Sequence, residues 1–171
     1  MSLSGGDEAA IQTDIAILSD LWDGLPAAED IVRRAVSAVA DRRDVTIPAD
    51  AELSVALADD AMIQRLNREY RSKDNPTNVL SFSAPRGPLL GDVVIAYQTL
   101  VREAGEEALT PSDHLTHLTI HGLLHLLGYD HETEAEAVAM EAMETSILAD
   151  LGISDPHATG RMMPDGTHAR P

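Results

Sequence analysis

A chain of 171 residues has room for one well-buried domain and is short for two that each bury a sizeable core. With 44% hydrophobic and 24% charged residues it is no disordered polymer, and no apolar run reaches the roughly 20 residues of a membrane span or the layout of a secretory leader, so a cytoplasmic location is expected. Zero cysteines exclude disulfides, thiolate catalysis and cysteine-based zinc sites, and 29 acidic against 12 basic residues, a formal charge of -17, argue on their face against a phosphate-bearing partner.

Residues 1–9 open small and polar and are expected to be a disordered start outside the fold. The apolar run Ile15, Ala16, Ile17, Leu18 predicts a first strand. Pro26 then opens a helical stretch with Ile31, Ala35, Val36 and Val39 at helical spacing, closed by the polar residues 41–44. Leu53, Val55 and Leu57 alternate with smaller or polar residues, the pattern of a half-buried second strand. Asp59 or Asp60 caps the next helix, whose Met62, Ile63, Leu66 and Tyr70 form an apolar stripe with Arg65, Arg68 and Arg71 mostly off it. After Pro76, residues 79–82 predict a third strand. The turn signal at 85–88 leads to a fourth strand over 91–96, which runs into a helix near 98–107. Thr110 and Pro111 start the helix that contains the histidines. An acidic helix follows from His131 to about Leu151, with Met140, Met143, Ile147 and Leu151 inward, and Gly152 ends it. Beyond it the prolines, glycines and missing periodicity predict a flexible tail over 153–171, with His157 and His168 as surface residues. The sum is an α+β (mixed α/β) fold, a small four-stranded mixed sheet packed with about five helices, forming one catalytic metal-binding domain over residues 10–152.

The charge is uneven. Residues 103–160 hold 12 Asp or Glu and no Lys or Arg, whereas Arg65, Arg68, Arg71 and Lys73 fall within nine residues. In isolation such a cluster is a solvated surface; next to a reactive centre it would be a phosphate-binding patch.

The centre is indicated by His121, His125 and His131. In a helix His121 and His125 project from one face a turn apart. A continuous helix would carry His131 about 15 Å from His121, far beyond a shared ion with bonds of about 2.0–2.1 Å. The helix must therefore end between them, and Gly128 can close it in a left-handed conformation. The three imidazoles then form a facial triad with an open fourth position, the arrangement of a catalytic metal site, with one zinc ion as the expected cofactor. His117 is expected as a supporting or substrate-facing residue and His114 as surface.

The spacing His-x-x-x-His-x-x-Gly-x-x-His is that of the zinc helix of metzincin peptidases, and the helix is accordingly zincin-like. Those enzymes place a glutamate base after the first histidine, where this chain has Gly122, so a metallopeptidase lacking its usual base ranks second. Three segments in order, residues 66–82, residues 90–95 and His121 to His131 with Gly122, make the chain resemble the YbeY-type endoribonucleases and rRNA maturation factors. The resemblance spans roughly residues 10–152. It implies zinc on His121, His125 and His131, a functional Arg71, and processing of ribosomal RNA, including the 3′ end of the small-subunit rRNA, together with ribosome quality control. The chemistry agrees: zinc held by three neutral imidazoles keeps its double charge and can activate water or a ribose 2′-hydroxyl for attack on a phosphodiester. Arg71 would grip the phosphate as the catalytic cation, and Arg68 and Lys73 would bind the flanking strand. Arg71 could instead pair with Asp74 or Asp92, and Asp130 could orient an imidazole. Small-subunit ribosomal proteins and an Era-type GTPase are the expected protein partners, and neither DNA nor a membrane is. A noncatalytic assembly factor with structural zinc is the remaining alternative.

Overall fold

Near-continuous apolar runs such as residues 93–96 require cover on both faces of a sheet, and the helices among the described residues provide it. The computed structural model describes residues 10–85 and 87–154 and the backbone of 168–169. The expected disordered start, Arg86, His157 and most of the expected tail lie outside the described residues. The strands are β1 (Gln12–Ile17), β2 (Glu52–Ala58), β3 (Val79–Ser83), β4 (Leu89–Ala96) and a two-residue β5 (His168–Ala169). The helices are α1 (Ala28–Ala40), α2 (Asp60–Arg71), α3 (Tyr97–Glu106), α4 (Pro111–Leu126) and α5 (Glu134–Asp150). The sheet order is β1-β2-β4-β3-β5, with β1, β2 and β4 parallel, β3 antiparallel to β4 and β5 parallel to β3. This is the expected α+β fold with a mixed sheet of four principal strands; β5 adds a short edge that no apolar run announces.

β4 shows how the two faces divide. Val93 and Ile95 join the large core with Leu115, Leu118, Leu123 and Leu124 of α4 and Ile31, Val32 and Val36 of α1. Val94 and Ala96 point the other way, into a smaller cluster with Ala58, Leu80 and Ile63 of α2. The metal-motif helix and the basic helix thus cover opposite faces of one sheet. α2 begins as its sequence predicts, with the Asp59 carboxylate accepting the Met62 N–H at 2.9 Å.

A 3-10 turn over Asp20–Gly24 has no periodic signature, because its role is tertiary. Trp22 Nε1 donates to the Ala58 carbonyl at 2.9 Å and the indole packs edge-on against Tyr97, with ring centroids 5.0 Å apart. At the far end of α1, Arg42 holds Asp44 and, across 108 residues of chain, Asp150 at the end of α5.

Candidate metal centre

α4 is placed by its two ends. Thr110 Oγ1 accepts the Asp113 N–H at 3.0 Å and Pro111 occupies the first turn, where no intrahelical donor is lost. At the other end Gly128 has φ +107, its N–H bonds the His125 carbonyl at 3.1 Å, and the Tyr129 N–H bonds the Leu124 carbonyl at 3.0 Å. This paired pattern is a Schellman stop, and it turns the chain back so that His131 faces the helix it has just left. Between these ends every residue from His114 to His125 is buried.

The three sequence-predicted histidines come together. The Nε2 atoms of His121 and His125 are 3.1 Å apart, and the His131 ring centroid lies 5.1 Å from that of His125 and 6.2 Å from that of His121. One candidate ligand atom from each lies within 4.8 Å of the others. Hydrogen bonds fix the tautomers. His121 Nδ1–H donates to Glu144 Oε2, and His125 Nδ1–H donates to the Tyr129 carbonyl at 3.1 Å. In their neutral forms both rings then turn an Nε2 lone pair toward the shared gap, where one cation could be held between them. His131 Nε2 is buried without a hydrogen-bond partner. Tetrahedral zinc with bonds of about 2.0–2.1 Å needs nitrogens roughly 3.3 Å apart, so the His121–His125 edge already fits.

Glu144 of α5 was not foreseen among the site residues. It is almost wholly buried and bonds two imidazoles, accepting from His121 Nδ1 and, at 2.9 Å, from His117 Nε2. Burial above all lowers the His117 pKa, so that ring donates as neutral imidazole. A signal for Glu144 was present: it stands on the inward stripe with Met140 and Ile147, where a carboxylate is out of place unless it has a buried partner. His117, His121 and Glu144 form a second close group, but its His121 nitrogen carries the proton shared with Glu144, so the group reads as support for the triad. Of the two roles expected for His117, its bond to Glu144 fits the supporting one.

His114 corrects the expectation of a surface residue. It is buried, and its Nε2 lies 2.8 Å from Glu103 Oε1, which also accepts from Asn78 Nδ2 at 2.9 Å. Burial pushes the Glu103 carboxyl up, but the hydrogen bonds from His114 and Asn78 prevail and hold it below its ordinary value. The spacing from His121 misleads here because α4 is covered on all sides. Asp130 uses Oδ1 to accept the His131 backbone N–H at 2.7 Å, which pins the main chain there.

At Gly122, a Cβ would stand 2.8 Å from Val93 Cγ1 and 3.1 Å from Ser81 Oγ, and that hydroxyl donates to the Gly122 carbonyl. The position where a metallopeptidase carries its glutamate is sealed against the sheet.

The basic residues separate. Arg68 pairs with Asp74 at 3.4 Å, both exposed, so Asp74 serves Arg68 and not Arg71. Lys73 is exposed and forms no ion pair among the described residues. Arg71 ends α2 half-buried, with Nη1 lacking any hydrogen-bond partner. Asn67 Nδ2 donates to the Asn75 carbonyl at 2.8 Å and Ser72 adopts a left-handed conformation, so this segment is a built turn. Its neighbour Tyr70 packs edge-on against Phe82, and Phe82 pairs in register with Asp92. On the opposite face, Leu126 of α4 lies against Gly91. The C-terminal ends of α2 and α4 therefore meet the same end of the β3–β4 hairpin.

Comparison with known proteins gives a consistent result. The family model for endoribonuclease YbeY matches residues 23–152. An endoribonuclease YbeY from Bradyrhizobium sp. (strain BTAi1 / ATCC BAA-1182) is 52% identical over 156 residues, covering 85% of this chain and 92% of the relative. One from Rhodopseudomonas palustris (strain BisB18) is 51% identical over 155 residues, with the same coverage. Among solved structures, the solution structure of TM1509 from Thermotoga maritima matches at 25% identity and TM-score 0.45, over 87% of this chain and all of that one.

Proposed function

Because the chain belongs to the endoribonuclease YbeY family, it is an enzyme that cuts RNA phosphodiester bonds, and we propose that it is a zinc-dependent, single-strand-specific endoribonuclease of rRNA maturation. Its substrate is rRNA, at the 3′ end of the small-subunit rRNA and in ribosome quality control, in the cytoplasm, with small-subunit ribosomal proteins and an Era-type GTPase as partners.

The observation that carries the metal reading is the convergence of the His121 and His125 Nε2 atoms at 3.1 Å, each ring facing an acceptor on its Nδ1 side, with a third buried nitrogen lacking a hydrogen-bond partner. His121, His125 and His131 hold the ion, and three protein ligands leave a position for water or substrate, which supports catalysis over a structural zinc. When bound, zinc supplies Lewis-acid chemistry near neutral pH. Glu144 and the Tyr129 carbonyl keep two of the rings in the ligating tautomer. Arg71, half-buried at the end of α2, grips a phosphate through its guanidinium, and Lys73 and Arg68 neutralise the adjoining strand. The packing of Gly122 against Val93 and Ser81 supports the nuclease over a peptidase, which carries its glutamate base at that position.

The test is metal analysis joined to cleavage of an rRNA precursor and of an unfolded protein. Wild type is expected to hold one zinc and cut only RNA. His125→Ala should lose both metal and cutting, whereas Arg71→Ala should keep the metal and lose cutting by on the order of 100-fold or more. Full RNA cleavage by metal-free His125→Ala would overturn the mechanism.

A further inference from the structure

On the face of the sheet away from α4, α2 does not cover the strands completely. Between it and the sheet runs an open groove of about 380 Å³ lined by Ala56, Leu66, Val94, Tyr70, Phe82 and Asp92, within the size range of small-ligand sites. Its lining is unusual for this chain. The sequence has one Phe and three Tyr, and the Phe and one Tyr stand here in edge-to-face contact, centroids 5.2 Å apart, with the Tyr70 side about half exposed. Asp92 is the acidic residue on this lining, and its exposed carboxylate forms no side-chain hydrogen bond or ion pair among the described residues. Desolvation by its surroundings raises its carboxyl pKa. Next to Tyr70 in sequence is Arg71 with its unpartnered Nη1.

An exposed aromatic face, an apolar floor, an unengaged carboxylate and an adjacent cation match the parts of one nucleotide. The base stacks on the ring, its amino edge donates to the carboxylate, and its phosphate meets the guanidinium. We propose that this groove is a nucleobase subsite of the RNA-cutting reaction, holding a base that flanks the cut and selecting one with an exocyclic amino group. Guanine fits best, because its N1–H and N2–H give a carboxylate two parallel donors, whereas uracil offers one. The proposal rests on the endoribonuclease reading for its substrate. The groove's place, at the end of the β3–β4 hairpin that the last turn of α4 also reaches, puts it on the path of a strand crossing from one face to the other.

The experiment is steady-state cleavage of a randomised single-stranded oligoribonucleotide by the zinc-loaded enzyme, with sequencing of the ends produced. Tyr70→Ala should raise KM about tenfold with a much smaller change in kcat, in line with roughly 1–3 kcal/mol per stacked base, and Tyr70→Phe should restore KM. Asp92→Asn should erase the preference for an amino-bearing base at one position beside the cut, a readout that a purely structural role would not move. Wild-type KM and an unchanged end distribution in both Tyr70→Ala and Asp92→Asn would overturn the subsite. Should wild type cut no RNA, the endoribonuclease reading fails by itself. The subsite is then judged by binding of 5′-GMP to wild type: loss of that binding in Tyr70→Ala supports it, and no binding overturns it.

Discussion

A side chain at position 122 would begin 2.8 Å from Val93 Cγ1, so the residue after His121 packs α4 onto the sheet. The support for the ligands comes instead from Glu144, whose two oxygens are divided between His117 and His121. Replacing it with Gln keeps the shape and removes the charge that makes the His121 imidazole a strong ligand. Glu144→Gln is therefore expected to weaken zinc binding about 10- to 100-fold, measured by competition with a chromogenic chelator, with the helical signal retained. The triad could be read from the sequence because its spacing and Gly128 obey helix geometry within 11 residues. Glu144 could not be assigned that way, since its partners lie 23 and 27 positions upstream and only a docked α5 brings them together. His114 misled for the related reason that burial is a tertiary property.

At the level of elements, the joins between helices carry titratable groups of their own. Glu103 of α3 takes His114 of α4 and Asn78 of the loop before β3, tying three segments through one carboxylate. That carboxyl titrates below its ordinary 4.5 in the folded protein, so its contribution is complete above about pH 4.5 and is lost as pH falls through the folded value. Glu103→Gln should lower Tm at pH 7 and flatten the fall of Tm below pH 4.5 relative to wild type, followed by thermal unfolding across pH 3–7. An acid limb as steep as wild type's would show that the group does not couple to folding. Several helix starts and stops were legible from local chemistry, as with Asp59, Thr110 and Pro111, and Gly152, which closes α5 at φ +76, whereas the Thr133–Glu136 capping box that starts α5 was passed over. The 3-10 turn around Trp22 and the two-residue β5 were not, because each is stabilised by a partner distant in sequence.

For the whole molecule, the -17 is a sum over surfaces that face different ways. Most of the excess belongs to residues 103–160, where Glu103 and Glu144 are taken up by histidines and much of α5 is exposed. The cations left for a nucleic-acid strand are few. With Arg71, Lys73 and Arg68 as the phosphate contacts, log affinity for single-stranded RNA should fall against log salt with a slope of about -2, at roughly 0.7 per contact. Fluorescence anisotropy of a labelled oligonucleotide on His125→Ala measures it, and a slope of -5 or steeper would reveal a larger basic footprint than the one described here.

The position of α5 also sets an order of events during biosynthesis. The imidazoles at 121, 125 and 131 emerge from the ribosome before residue 144, and before the Met140, Ile147 and Leu148 that pack α5 into the core and the Asp150 that holds Arg42. A nascent chain thus carries its ligands before it carries the carboxylate that orients them. An enzyme that cuts RNA, made by a machine built largely of RNA, thus leaves that machine with its imidazoles first and their orienting carboxylate second.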